Sequence, residues 1–279
     1  AIILSSLFDW NLKLTCVGIG FLVIIYTVSG GSRAVSLTQK WQMALIMTGM
    51  FVAFYYILDA IPASYSFTDT VNLAGDLGKM KVVNYEFDVK EKYNIWAGLT
   101  GGFFLALSYF GTDQSQVQRY LGGKSLRESR LGLMFNGIFK IPMQFFIVFT
   151  GVMLFVAYQF NTPPIIYNDS GISKEILSTP KLVQLQEEYN RVFEEKKEVL
   201  GTSYQSVNNE KIKFEVRELQ ERQESLKKQY QATLTTLYPD YNHKDGDYVF
   251  LTFVLKYLPN GLIGLLLAVI LSAAMSSTA

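Results

Sequence analysis

The sequence predicts an all-α polytopic membrane protein, on three observations. Of its 279 residues, 49% are hydrophobic and only 18% charged, with a mean hydropathy of +0.18. Five stretches, Leu14 to Ser32, Trp41 to Leu58, Tyr93 to Thr112, Ile141 to Asn168 and Tyr257 to Ala279, contain no Asp, Glu, Lys or Arg. Each approaches or exceeds the ~18 to 20 apolar residues that cross a bilayer. The charges are concentrated elsewhere: between Asp169 and Asp247 stand 15 acidic and 12 basic side chains. A single soluble domain is excluded, and the chain divides into a transmembrane bundle (1–168), a charged insert (169–247), and a short pre-helix with a final transmembrane helix (248–279).

In chain order, Ala1 to Leu7 is apolar but too short to span and reads as the tail of an earlier helix. Leu14 to about Val28 spans, and Ser29-Gly30-Gly31-Ser32 is a breaker that turns the chain into Trp41 to Leu58, with Arg33 and Lys40 bracketing the turn. Asp59 to Lys92 is a polar connection. Tyr93 to about Gln114 is rich in glycine for a plain span, with Gly98, Gly101, Gly102 and Gly111. These glycines either allow close helix packing or mark backbone opened beside a ligand. The loop Ser115 to Arg130 carries Arg119, Lys124, Arg127 and Arg130 against one acid, Glu128, so it and the Arg33/Lys40 turn are assigned to the cytoplasm. The next span, Leu131 to about Tyr158, then leads outward, the insert is extracytoplasmic, and the last span from about Leu258 returns. The chain begins without Met and stops inside an apolar helix, so a fragment of a longer polytopic protein is expected.

Within the insert the apolar period becomes heptad-like. Leu185, Tyr189, Val192, Lys196 and Val199 form one stripe, and Ile212, Val216, Leu219, Gln223, Leu226, Tyr230, Thr233 and Leu237 another, which predicts a helical hairpin. Thr179 with Pro180 starts it, Gly201 to Asn208 turns it and Pro239 stops it. Lys and Gln in the seam make it marginal alone, so it is expected to pack on something else, as a structural insert or as an arm for a docking partner.

Several function classes are excluded. The net charge of +1 and the lack of a basic face give no reason for nucleic-acid binding. One Cys and one His assemble neither a disulfide, a zinc site nor a Cys/His catalytic pair. Cys16 reads as a buried small hydrophobe and His243 as an exposed loop residue. An integral-membrane enzyme would need convergent acids or histidines within the spans, and only Asp113 and Lys140 come near, so no enzyme is expected.

Two features stand out chemically. Lys140 is the only ionised residue between Leu131 and Asn168 and lies about 13 Å along from Leu131, near the middle of a ~30 Å hydrocarbon layer. A charge there costs several kcal/mol unless it is paired or lines a watered cavity, so it belongs either to a transport path or to a structural ion pair. In the last span, Ser272, Ala273, Ser276 and Ser277 share one helical face. Such oxygens suit a small hard cation, although Ser in membrane helices also serves packing and hydrogen bonding.

Three patches, Tyr26-Thr27-Val28-Ser29-Gly30-Gly31-Ser32-Arg33-Ala34-Val35, Tyr109-Phe110-Gly111-Thr112-Asp113-Gln114-Ser115-Gln116-Val117-Gln118-Arg119-Tyr120-Leu121, and Leu258 to Ser277, together resemble the sodium/solute symporter family of the sodium/glucose and sodium/proline type. The resemblance implies an inverted-repeat bundle of the leucine-transporter type, here from the end of the third core helix to the eighth, with the first, second, ninth and tenth absent. It also implies sodium-driven symport of a small organic solute by alternating access in the cell (inner) membrane. Carried over residue by residue, Ala273 (carbonyl), Ser276 and Ser277 (hydroxyls) match half of the family's sodium site, Tyr109 the tyrosine that closes the substrate cavity on the cytoplasmic side in sugar-carrying members, Phe110 the neighbouring aromatic position, and Lys140 a lysine that contacts substrate. Asp113, Gln114, Gln118 and Arg119 match an inner-loop motif taken as structural. In one departure, Thr38 is followed by Gln39 where the family often has Asp, which argues against a second cation site. Lys140 tilts the solute towards a sugar or a carboxylate-bearing molecule. The alternative reading is a symporter-like sensor domain feeding a signalling module.

Overall fold

A computed structural model describes residues 11–80, 84–88, 94–114, 117, 125–168, 172–202, 210–239, 241 and 245–278, with backbone alone at 12, 26–27, 29–38, 202, 247 and 271–278. The apolar start Ala1 to Leu7, Arg119 and Lys124 of the basic loop, most of the hairpin turn and His243 lie outside the described residues. Among the described residues every regular element is helical. Three stretches of the described residues are long and apolar enough to cross a bilayer: Gln39–Asp59 (21 residues), Ile95–Thr112 (18) and Leu126–Phe160 (35). The protein is therefore a multi-pass integral membrane protein. The chain forms two compact units, residues 1–69 with 153–279, and residues 70–152.

In the first unit, α1 (Leu12–Asp59) is a single helix of 48 residues whose Asn11 cap accepts a hydrogen bond from the Lys13 N–H (3.0 Å). The turn expected at Ser29-Gly30-Gly31-Ser32 is not there; the helix runs through it. The physical reason is that glycine only weakens a helix, by about 1 kcal/mol each relative to alanine, whereas proline removes a donor, and the first proline is Pro62. At 1.5 Å per residue α1 is about 72 Å long, more than twice a ~30 Å hydrocarbon layer. With no turn between them, Arg33 and Lys40 carry no argument about sidedness. Cys16, expected to be buried, is exposed on α1, because the outward face of a membrane helix is itself apolar.

The polar connection after α1 contains a helix that the sequence reading missed, α2 (Phe67–Asp76). Ser66 and Asp69 cap it reciprocally: the Ser66 N–H and hydroxyl donate to Asp69 Oδ2 (3.0 and 2.6 Å), and the Asp69 N–H donates back to Ser66 Oγ (3.2 Å). These bonds hold the Asp69 carboxyl below its usual pKa. Gly78, at φ +74°, ends the following turn in the left-handed region that favours glycine.

In the second unit, α3 (Ile95–Leu107) starts at Asn94, whose side chain accepts from the Ala97 N–H (2.7 Å) and donates to the Asp88 carbonyl (2.7 Å). Helix α4 (Leu126–Phe160) runs from this unit into the first. Large apolar side chains stay outward on both helices, among them Phe103 (61% exposed) and Phe135 (67%), the reverse of a soluble core and appropriate to a lipid-facing surface.

After the short α5 (Lys174–Leu177), α6 (Pro180–Thr202) and α7 (Glu210–Leu237) pack together as a helical hairpin. Leu182, Leu185, Tyr189 and Val192 meet Leu219, Leu226, Tyr230 and Leu234, and Ile165, Ile166 and Tyr241 close the same core. The hairpin does not stand alone: the Tyr65 hydroxyl donates to the Leu200 carbonyl (2.7 Å). Tyr65 lies 4.8 Å from the Phe160 ring, and Asn161 Nδ2 donates to the Ala60 carbonyl (2.8 Å). Helix α8 (Gly246–Tyr257) follows, and its leading residue Asp245 is buried. Asp245 Oδ1 accepts from the N–H groups of Tyr167 (2.7 Å) and Asn168 (3.1 Å), while Oδ2 pairs with Lys227 of α7 (2.8 Å). One carboxylate thus ties the segment after α4, the hairpin and α8. Helix α9 (Asn260–Thr278) ends the chain and packs on α1.

Lys196 is 1% exposed in the hairpin seam, donating to Gln220 Oε1 (2.8 Å) and Gln223 Oε1. Desolvation pushes its amine down to about 7, with Glu224 opposing. Its folded pKa lies below its unfolded value, so between about pH 7 and 10 the unfolded chain holds a proton that the folded one lacks, and stability rises with pH. Burial raises the pKa of Tyr189, Tyr230 and Tyr241, which reverses the slope above pH ~10. Between about pH 7 and 9 the denaturation midpoint of the insert, followed by protease resistance, is expected to climb, by up to about 1.4 kcal/mol per pH unit. Lys196→Met should flatten that rise.

Candidate functional site

Tyr109 and Phe110 lie in a π-helical turn, Ser108–Thr112, that closes α3. The Asp113 N–H reaches back five residues to the Ser108 carbonyl (3.0 Å), and the Thr112 hydroxyl donates to the same oxygen (3.0 Å). Such a turn widens the helix and re-aims its side chains, and it is frequent at functional positions. The two rings meet edge to face, with centroids 5.1 Å apart at 81°.

The glycines of α3 bear on this turn. Beyond the local helix backbone, no described heavy atom lies within 4 Å of a Cβ built at Gly98, Gly101, Gly102 or Gly111, so close packing does not account for them among the described residues. Gly111 lies inside the π turn itself, where the backbone opens.

Lys140 projects from α4 so that its Nζ lies 5.7 Å from the centroid of the Tyr109 ring, within the ~6 Å reach of a cation–π contact. Among the described residues no carboxylate pairs with it, so of the two sequence readings the structural ion pair has no partner here. Two residues on, Pro142 sits inside α4. It lacks an N–H, which leaves the Ile138 carbonyl without its usual helical donor and makes α4 deformable beside Lys140. Pro142 was missed as a functional residue, although a proline in an apolar span is itself a signal.

The structure thus brings Lys140 to Tyr109, with Phe110 against Tyr109, all within residues 70–152. Ala273, Ser276 and Ser277 fall in the last turns of α9, where the backbone is helical and the side chains lie outside the described residues. They belong to the other compact unit. Gln39 sits on α1.

Comparison with known families decides what kind of protein this is. The model of the sodium:solute symporter family matches residues 1–184. The chain belongs to this family. The symporter match takes in the Gly30-Gly31 patch, Tyr109, Phe110 and Lys140, and it stops short of α9. Among curated relatives, the human sodium/iodide cotransporter is 25% identical over 160 residues, 57% of this chain and 24% of that protein. The human sodium-coupled monocarboxylate transporter 1 is 27% identical over 159 residues, 57% of this chain and 26% of that protein. The mouse sodium/myo-inositol cotransporter 2 is 26% identical over 164 residues, 55% of this chain and 24% of that protein. The chain spans about a quarter of the length of the curated symporters it matches. No solved structure matches it. The family is one of transporters.

Proposed function

We propose that the chain forms part of a sodium-driven symporter of a small organic solute, working by alternating access within an inverted-repeat fold of the leucine-transporter type. The observation that carries this is Lys140 held over Tyr109 beside a π-helical turn, in a chain of a symporter family. An ammonium in an apolar helix that meets no carboxylate among the described residues, backed by an aromatic face and a proline-weakened turn, is arranged for a ligand that comes and goes. It offers three donors and a charge, which suit both a carboxylate and a ring of hydroxyls. The relatives named for monocarboxylate and myo-inositol carry solutes of these two kinds. The solute is therefore a sugar-like polyol or a carboxylate-bearing molecule, with Tyr109 and Phe110 closing one side of its path.

Sodium takes the α9 half-site of Ala273, Ser276 and Ser277, where a carbonyl and two hydroxyls are hard oxygen ligands. Gln39 adds no negative charge to offset the desolvation of a second cation, so one sodium ion per solute is expected. The basic loop Ser115 to Arg130 faces the cytoplasm, and the 169–247 insert lies outside as a domain of its own. In the intact gene product, Ser276→Ala and Ser277→Ala each remove one ligand oxygen. The sodium concentration for half-maximal uptake should rise about ten-fold in each, the usual cost of losing a bond to a charged group, with expression unchanged. Identical sodium dependence in both variants would place the ion elsewhere.

A further inference from the structure

Gly49 lies buried on α1 where α9 packs against it, and a Cβ built there would stand 2.3 Å from Leu266 Cδ2 and 3.4 Å from Leu266 Cγ. With Leu266 where it stands only a hydrogen fits at that position, so Leu266 is a knob seated in the hole that Gly49 leaves. A cavity of about 30 Å³ beside it, lined by Leu45, Thr48, Leu262 and Leu265 among others, offers room for roughly one methyl group. Along a helix at about 100° per residue, positions 273 and 277, seven and eleven residues beyond Leu266, return to within about 20° of its stripe. By that spacing positions 273 and 277 continue the stripe of α9 that Leu266 seats on α1 at Gly49. Among the described residues of its unit, α9 packs chiefly on α1 and only lightly on α8.

We infer that Gly49 is a positioning residue for the sodium half-site: by admitting Leu266 it sets how closely the α9 stripe approaches α1, and so where the Ala273 carbonyl and Ser277 hydroxyl are presented. This rests on the sodium reading of α9. A larger side chain at position 49 lifts that stripe away, and packed helix interfaces shift as units rather than yielding atom by atom. Alanine is different, because Leu266 has the adjoining cavity to move into.

The test is binding of radiolabelled sodium to the purified intact gene product, read beside its yield and size-exclusion profile. Gly49→Leu should weaken sodium binding about five-fold or more, Gly49→Ala less than about two-fold, and the exchanged pair Gly49→Leu with Leu266→Ala should restore it. A site that matters only for folding would change yield and leave the affinity of the surviving protein intact. Wild-type sodium affinity in Gly49→Leu, alongside weakened binding in Ser276→Ala, would overturn the positioning role alone. Unchanged binding in both Ser276→Ala and Ser277→Ala would overturn the sodium reading and the inference with it. Should Gly49→Leu fail to accumulate, an exchanged pair that accumulates and binds normally supports the inference, and one that accumulates without binding overturns it.

Discussion

Lys140→Met is expected to raise the KM for solute about ten-fold or more, the usual range for losing a hydrogen bond to a charged group, while insertion and yield stay normal. Methionine keeps the length and the apolar stem, so the helix face of α4 is preserved and the desolvation cost of a mid-membrane ammonium disappears. What is lost is three donors and the charge above the Tyr109 ring, 5.7 Å away. Tyr109→Phe keeps the ring face and should change KM less than Tyr109→Leu, which removes it. Loss of folded protein in Lys140→Met, in place of lost affinity, would assign the lysine a structural role.

Asp245→Ala is expected to cost about 3 kcal/mol or more of stability in the hairpin region, since hydrogen bonds to a buried charged group contribute about 1.5 to 3 kcal/mol each. Three partners lose their acceptor together: the Tyr167 and Asn168 N–H groups and the Lys227 ammonium, which also stands 5.1 Å over the Tyr167 ring. The segment after α4, the hairpin and the start of α8 should separate, and protease should cut the α6–α7 hairpin at denaturant concentrations where the wild type resists. Asp245→Asn keeps the Oδ1 acceptor for the two N–H groups but loses the charge and turns an amide donor towards Lys227, so it should fall between. Equal resistance in Asp245→Ala and wild type would show that the carboxylate holds nothing together.

How far the sequence speaks for this structure depends on the range of each signal. Apolar length is local and strong, and it located the crossing stretches of α1, α3 and α4. The hairpin seam was legible for Leu185, Tyr189, Val192 and Lys196, and for Val216 to Tyr230. At its ends the fully buried positions are Leu200 and Leu234; Val199 packs half-buried on the core, Thr233 is only partly buried and Leu237 is exposed. The reason is that a straight helix turns every 3.6 residues and drifts about 20° per heptad from the 3.5 period that the stripe assumed. The Gly30-Gly31 turn was over-read because glycine permits a break without forcing one. Helix α2 was under-read: Ser66 and Asp69 stand at capping-box spacing, but only 10 helical residues follow, too few for periodicity to announce.

For the candidate site, Lys140 was legible because a lone charge in an apolar span is costly wherever it points. Its contact with Tyr109, 31 positions away in the chain, required the fold, as did the Asp245 clasp to Tyr167 and the seating of Leu266 on Gly49. The π turn at Ser108–Thr112 had its hint in the glycine content of α3, which left packing and opened backbone equally open. The α9 positions owe their proposed role to family resemblance, since serine at helical spacing in a membrane helix also serves packing.

The central claim is that this chain belongs to a machine that couples solute movement to sodium. The most direct test is uptake of a labelled monocarboxylate and a labelled polyol into proteoliposomes holding the purified intact gene product, with an inward sodium gradient imposed or replaced by choline. Accumulation of one of the two above its external concentration, present with sodium, absent with choline and abolished when the gradient is collapsed, is the expected result. Uptake that proceeds equally in choline would contradict sodium coupling. Sodium-dependent changes in protein conformation with no flux of either solute would contradict transport and favour a sensor.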